Sequence, residues 1–456
     1  MVARTTLAFD DFAFTHRGID RRRVRLGYAL ASRSGARVAF EETFDLPETL
    51  GPLAPADHPA VARALLGLHL AAGASYWKAG IPPELIVEGA SLTQDDARFW
   101  GDVYTLGMGE FFYRNQIDPT GRASFRSSPG ATAPPVAPPP PQGPSLLLWG
   151  GGKDSVVSHE ILTESGEAHE LLSIGRSDWE WVQRSAAASG AALHVVTRSL
   201  DPKLLELNAA GAWNGHVPVS ATLAFAGTLV AVLAGRGSVI ASNESSASQG
   251  NAAWHGIDVN HQWSKSLAFE RAMRGWLRDH LGGRPEYVSL LRPLTELRIV
   301  KAFATHAGYF DAVTSCNANF RQAGPAPRRF CLACPKCVFV ALMARPWLDD
   351  PAYHALFSGD PLADPANVSL VEELLGVRGT KPFECVGTPE ETAAAIHLAR
   401  THGRTIPHGV MTAFSKLGAL GNSDMDAVAR QALARSDEHE LPTKRLAQLD
   451  DYLARH

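Results

Sequence analysis

Hydrophobic positions change their period several times along the chain, and the changes divide it. Val24, Leu26, Tyr28 and Leu30 alternate with other residues, a Ser34-Gly35 turn follows, and Val38, Phe40 and Phe44 resume the pattern. Period two on both sides of a turn predicts a β-hairpin. Val61, Leu65, Leu68, Ala72 and Tyr76 then recur at helical spacing, and an apolar, glycine-rich stretch covers Trp100 to Tyr113. Residues 1–125 are therefore expected to form a small α+β domain. Eight prolines among the sixteen residues from Pro129 to Pro144 cannot build a core, so residues 126–144 read as an extended, semi-rigid linker. From Leu146 onward short apolar runs (Leu171 to Ile174, Leu193 to Val196, Ser238 to Ala241) alternate with helix-like segments. Runs of that kind predict a doubly wound, mostly parallel α/β sheet over residues 145–346, buried on both faces. Val217 to Ala234 is nearly long enough to cross a bilayer, but its Pro218, Ser220, Thr222 and Thr228 fit a buried helix better. An amphipathic helix is expected from Leu267 to Leu277. Residues 347–456 read as helical, with capping boxes at Ser369-x-x-Glu372 and Thr388-Pro389-Glu390-Glu391.

Composition narrows the class. A chain of 456 residues, 45% hydrophobic, exceeds one ordinary domain and can fill two or three cores. A net charge of −4 and a pI near 6.5 argue against a nucleic-acid partner. Asp10 and Asp11 interrupt the place where an export signal would carry its apolar core, which predicts a cytoplasmic protein without a membrane partner. Nothing in the sequence sets an oligomeric state. Cys316, Cys331, Cys334 and Cys337 form C-x14-C-x2-C-x2-C, a tetrahedral soft-ligand pattern suited to structural Zn²⁺, although an iron–sulfur cluster takes the same four thiolates.

The chemistry centres on the run Ser145 to Trp149 followed by Gly150-Gly151-Gly152-Lys153-Asp154-Ser155 and a helical segment. Strand, glycine loop and helix together make an anion site, because backbone N–H groups converge there and the helix terminus is positive. A Walker A loop needs a glycine five residues before Gly152 and Ser or Thr after Lys153, and neither is present. The spacing instead resembles the SGGxDS loop of the PP-loop ATP pyrophosphatases, with Gly150 in place of the first serine. That resemblance implies a PP-loop, HUP-type fold that splits ATP between the α and β phosphates, with Gly150, Gly151, Gly152, Lys153, Asp154 and Ser155 on the nucleotide and Ser173 and Ile174 flanking adenine and ribose.

Ligands of parallel sheets sit at the carboxyl ends of strands. Glu244, after the Ser238 to Ala241 run, is thus placed to join Asp154 in holding Mg²⁺, or else Asn243 and Glu244 cap the next helix. Asn260 to Ser266 offers His261 and Lys265 for proton transfer or for capping. Glu110 and Arg114 could serve a ligand or form a buried pair. Arg292, in Leu291-Arg292-Pro293-Leu294, resembles the closing segment of PP-loop domains and is expected to meet phosphate or a substrate carboxylate. Arg321, Arg328 and Arg329 lie inside the cysteine segment, as cations for an acidic substrate or as solvated loop. Glu384 and Cys385, in residues 379–387, could act on substrate if that loop folds back over the nucleotide; otherwise it is a loop with one buried thiol.

Taken together, GGGKDS after a Trp-ended strand, SNESSA, VNHQWSKS, the cysteine tetrad and KPFECVG resemble the ATP-dependent UDP-N-acetylmuramoyl-L-alanyl-L-glutamate epimerases of peptidoglycan synthesis. The resemblance implies inversion of the terminal L-Glu of UDP-MurNAc-L-Ala-L-Glu at the expense of ATP, giving AMP and pyrophosphate, and, through the similar tetrad of the 7-cyano-7-deazaguanine synthases, a structural zinc. Two other classes stay open: an amide-forming or tRNA-thiolating PP-loop enzyme, and a nucleotide-binding protein without turnover.

Overall fold

The computed structural model describes residues 9–128, 130–320, 328–418 and 420–456. Its first strands are β1 (Asp11–Asp20), β2 (Arg23–Ala31), β3 (Arg37–Asp45), β4 (Glu84–Val87) and β5 (Ser124–Phe125). After the linker come β6 (Ser145–Leu148), β7 (His169–Gly175), β8 (Leu193–Ser199), β9 (Ser238–Ala241), the small hairpin β10 (Ala252–Trp254) and β11 (Ile257–Val259), and β12 (Glu286–Ser289). One ten-stranded sheet runs in the order β12-β9-β6-β7-β8-β3-β2-β1-β4-β5. The five strands from β12 to β8 are parallel, and β1, β2 and β3 form an antiparallel meander. What joins them is the antiparallel pairing of β3 with β8, Thr43 opposite Ser199 and Asp45 opposite Thr197. The N-terminal α+β segment therefore extends the same sheet.

Adjacent residues on the parallel strands feed opposite cores, as a strand period of two requires. Leu146, Leu172, Val239 and Tyr287 belong to one apolar cluster, with the helices Pro59–Ala72, Val219–Leu233 and Leu267–Leu281. Leu147, Leu171, Ile240 and Val288 belong to the other, with Lys153–Glu164, Glu296–Phe303, Pro335–Ala344 and the C-terminal helices. The sheet is thus covered on both sides. The first cluster continues without a break into Phe12, Phe14, Val24, Leu26 and Tyr28, so the meander and the parallel strands share a core. Gly67 lets two of these helices approach, since a Cβ there would lie 2.5 Å from the Phe225 ring.

The hairpin is β2 and β3. Its neighbour β1 is hidden in the sequence by a register shift between Phe14 and Arg17, which breaks the alternation. The apolar run before Ala234 is a buried helix, and among the described residues no helix is long and apolar enough to cross a membrane. Apart from Pro129, which lies outside the described residues, the linker is pinned to the body by Val136 N to His280 O at 3.0 Å and Gln142 N to Gly235 O at 2.8 Å. The Thr388 capping box is present, with Pro389 in the first turn. The one expected at Ser369 is not: the helix Val368–Leu374 begins one residue earlier, so Ser369 is already inside it.

Candidate active site

β6 ends at Leu148, and the chain turns through Gly150–Gly152 into the helix Lys153–Glu164. Gly151 is buried at φ +72°, and a Cβ there would lie 2.9 Å from Ser185 Oγ and 3.0 Å from Val182 Cα, so no other residue fits. Gly150 has open space around it. A serine would fit there, and the departure from the SGGxDS pattern is not steric. The helix begins without a side-chain cap, which leaves its first N–H groups for an anion. Ser155 Oγ donates to Gly152 O at 2.9 Å and steadies the turn.

A chain of buried charge starts at this loop. Lys153 Nζ is bonded to both Asp154 and Glu296, and Lys336 Nζ meets the other oxygen of Glu296 at 2.9 Å. Burial opposes ionisation of Glu296, but the two lysines hold its carboxyl down to about 2. Glu244 is buried close by. Burial first, then the charges of Glu296 and Asp154, push it up to about 7, the position of a carboxylate short of a cation. Glu244 does not cap a long helix: one 3₁₀ turn, Ser245–Ser248, follows it without a side-chain cap.

Arg292 has a different place from the one expected. Its buried guanidinium bonds Glu270 Oε2 at 3.0 Å, Glu244 O and Lys265 O. These donors are spent on tying the Glu244 and Lys265 segments to the helix Leu267–Leu281, so Arg292 positions the site from behind. Ser173 and Ile174 fall near the carboxyl end of the strand expected there. They lie within β7, with their residues opposite Val195 and Val196 of β8, and Ile174 joins the core.

The loop of residues 379–387 folds back onto the charged chain. Lys265 Nζ lies 3.2 Å from Cys385 Sγ, and His261 is a second positive influence on the same thiol. His261 Nδ1 meets Glu110 Oε2 at 2.5 Å, and Arg114 Nε meets Glu110 Oε1 at 2.5 Å. Burial works against the Cys385 thiolate, yet Lys265 and His261 pull the thiol down to about 5. In return His261, opposed by burial but held by Cys385 and Glu110, is raised to about 9. Glu384, raised by burial, bonds Asn317 beside the tetrad. Lys336 feels Glu296, Asp154, Cys385 and Glu244 together, so both ends belong to one site. Asp154, His261, Lys265, Glu384 and Cys385 keep some exposure, whereas Lys153, Glu244, Glu296 and Lys336 are buried behind them.

The loop is clamped from several sides. Phe383 packs on Tyr113 at 5.3 Å between ring centres, with the Arg114 guanidinium 4.8 Å from its ring. Asn251 Nδ2 donates to Pro382 O at 3.0 Å and Gln262 Nε2 to Val386 O at 3.3 Å.

Cys316, Cys331, Cys334 and Cys337 bring their sulfurs within 4.8 Å of one another, and none forms a disulfide. A tetrahedron with Zn–S bonds of about 2.3 Å has edges of about 3.8 Å, and Cys331 and Cys337 are 3.8 Å apart. The four residues could hold zinc. They also fix Lys336, which sits between Cys334 and Cys337, and Asn317, which follows Cys316. Arg329 is buried against Phe310 O, Ala355 O and Ser358 Oγ, which makes it a strut of this segment rather than a cation for substrate. Arg328 is exposed, and Arg321 lies outside the described residues. Glu110, His216 and His261 form a second group able to hold a metal, but the 2.5 Å contact of His261 with Glu110 is a hydrogen bond in length and Arg114 already occupies the carboxylate's other oxygen.

Glu296, Lys336 and His216 carry no signal in the sequence: each is a single charged or polar residue inside an otherwise structural stretch. A cavity of 670 Å³ between the helices Gln94–Thr105 and Leu267–Leu281 includes none of the cluster; its Asp96 and His280 are paired at 2.6 Å, and Asp96 closes a capping box.

Comparison with known proteins gives a consistent result. A family model described as the MurL N-terminal domain matches residues 3–290, through the whole ten-stranded sheet, and one described as the MurL C-terminal domain matches residues 312–426. The chain is 41% identical over 371 residues to the UDP-N-acetyl-alpha-D-muramoyl-L-alanyl-L-glutamate epimerase of Salinispora tropica, covering 81% of this chain and 80% of that protein. It is 40% identical over 372 residues to the protein of that name from Micromonospora sp. (81% and 82% covered) and 36% identical over 412 residues to that from Xanthomonas oryzae pv. oryzae (89% and 90% covered). No solved structure matches the chain. With matches that run from the glycine loop through the tetrad to the Cys385 loop, the chain belongs to the MurL family of UDP-N-acetyl-alpha-D-muramoyl-L-alanyl-L-glutamate epimerases.

Proposed function

We propose that this chain is a cytoplasmic, ATP-dependent epimerase that converts the terminal L-Glu of UDP-MurNAc-L-Ala-L-Glu to D-Glu through an acyl-adenylate, releasing AMP and pyrophosphate. The activity follows the relatives' name, and the observation that supports its chemistry is the adjacency of two functions. An uncapped helix N-terminus behind a glycine loop and a thiol–imidazole–carboxylate array stand at two ends of one charged cluster. The first suits a nucleotide in the manner of a PP-loop, and the second suits an acyl group.

A carboxylate resists loss of its α-proton, because the carbanion would carry a second negative charge. Adenylation removes that charge and makes an enolate reachable. Gly150, Gly151, Gly152 and Ser155 offer backbone N–H groups to the phosphates, with the Ser155 hydroxyl steadying the turn, and Lys153 supplies a buried cation. Asp154 and Glu244 would hold Mg²⁺, which neutralises charge on the triphosphate when bound. The four cysteines would hold a structural Zn²⁺ that keeps Lys336 and Asn317 in place.

The test is isotopic. With ATP, Mg²⁺ and UDP-MurNAc-L-Ala-L-Glu in D₂O, the product should contain D-Glu carrying deuterium at its α-carbon, matched by AMP and pyrophosphate. An amide- or sulfur-transferring enzyme would form AMP but leave the α-hydrogen in place. AMP release only with a different carboxylic acid would overturn the substrate assignment.

A further inference from the structure

Cys385 stands apart from the tetrad and in different company. Its sulfur faces the Lys265 ammonium at 3.2 Å, and its thiol is drawn down by Lys265 and by His261, whose Nδ1 is held by Glu110 at 2.5 Å. The three groups come from residues 110, 261 and 385, so no local motif makes them; the fold does. A thiolate beside a cation, with an imidazolium held by a carboxylate in the same cluster, is an arrangement of activated-nucleophile catalysis. Cys385 is a half-buried residue, and the loop that carries it is clamped on both sides by Asn251 and Gln262. Two residues on, a Cβ at Gly387 would fall 2.3 Å from Glu391 Oε2 and 2.9 Å from the Phe339 ring, so the loop packs hard against the core just behind the thiol.

We propose that Cys385 is a nucleophile that takes the acyl group from the adenylate, so that inversion of the glutamyl α-carbon occurs on a Cys385 thioester. This rests on the adenylating reading above. The alternative, Cys385 as the base that removes the α-proton, fits the electrostatics less well. A thiol pulled down to about 5 is roughly a hundredfold weaker as a base than one poised near 7, whereas a stable thiolate attacks readily and leaves readily.

The steps balance. The thiolate sulfur attacks the adenylate carbonyl, an S–C bond forms, and the C–O bond to the phosphate breaks with AMP leaving on the electron pair. Sulfur donates less electron density to the carbonyl than a carboxylate oxygen does, so the α-proton of the thioester is acidic enough to be lost to solvent, and one proton from solvent replaces it on the opposite face. Water then adds to the carbonyl, the C–S bond breaks with the electron pair leaving on sulfur, and the free carboxylate and the thiolate are regenerated with release of two protons to solvent. Nothing is oxidised or reduced. Acylation also removes the thiolate charge from His261, which loosens its proton just when the acyl group arrives.

The experiment is a rapid acid quench of the full-length protein turning over ATP and UDP-MurNAc-L-Ala-L-Glu, read by intact and peptide mass spectrometry. The expected result is an adduct on the Cys385 peptide equal to the substrate less one water and labile to hydroxylamine. In Cys385→Ala, adduct and solvent deuterium in the product should both fall by about 10³-fold or more, while pyrophosphate exchange into ATP stays measurable. AMP formation by the wild type with no adduct at any quench time, or inversion by Cys385→Ala at the wild-type rate, overturns the thioester and leaves the adenylating reading intact. Absence of both AMP formation and pyrophosphate exchange in the wild type overturns that reading, and the thioester with it.

Discussion

Lys265 and Cys385 are 120 residues apart in the chain, and their Nζ and Sγ atoms are 3.2 Å apart in the fold. Burial penalises each charge alone, yet together they persist: the thiol is pulled down to about 5 and the ammonium is held above its usual range by Cys385 and Glu244. The pair closes the C-terminal loop over the parallel-sheet site and joins a thiolate to a cluster that begins at the glycine loop.

Alkylation reads this pair directly. Iodoacetamide labelling of the Cys385 peptide should be half-maximal near pH 5 and flat through neutrality. Lys265→Met removes a cation from a lowered thiol, so its half-point should move up by a unit or more. Glu110→Gln should move it up less, by weakening the proton on His261. A wild-type half-point near the ordinary thiol range would show that the thiolate is not formed.

Asp154→Ala should abolish ATP cleavage without unfolding the protein. The carboxylate is partly exposed and its bond to Lys153 leaves Glu296 as a second partner for that lysine, so the stability effect should stay within about 1 kcal/mol. Wild-type AMP release by a variant of normal melting temperature would take the loop out of the mechanism.

Glu296→Gln should be far more damaging to stability. It leaves Lys153 and Lys336 buried beside a neutral group, at a cost of about 3–5 kcal/mol in urea unfolding at pH 7. The sign with pH follows from the lowered carboxyl. The Glu296 contribution is complete above its unfolded value of 4.5 and is lost only as pH falls toward 2, so the gap between wild type and variant should be constant from pH 5 to 8. A loss below about 1 kcal/mol would mean that the lysines find water instead.

Metal analysis should find about one Zn²⁺ per chain, and Cys334→Ser should lose it and melt early. Because the tetrad brackets Lys336, the variant should also lose activity at temperatures where it is still folded. An iron-containing, coloured protein would replace zinc by a cluster.

Much of the site was legible residue by residue. The glycine loop announces itself because backbone approach to an anion demands glycine in a fixed order, and the tetrad because four thiolates on one metal demand close spacing. His261, Lys265, Glu384 and Cys385 stood out by density of reactive groups, but their roles did not, since a histidine before a helix is as often a cap as a base. Glu296 and Lys336 were not legible. A single charge inside an apolar helix start looks like surface until its partner, 143 residues from Lys153 or 40 from Lys336, is known.

Arg292 marks the same boundary from the other side. Its sequence context points to phosphate, and the fold spends its donors on Glu270 and two carbonyls. Patterns of apolar residues by themselves determined the hairpin, the covered parallel strands, the buried helix before Ala234 and the Thr388 cap, because each depends on periodicities or caps within a few residues. Only the tertiary structure decided that β3 joins β8, that the 379–387 loop returns to the charged cluster, and that Cys385 meets Lys265. Pairing of edges and of buried charges depends on which distant segments exclude water together, and that is a property of the packed chain.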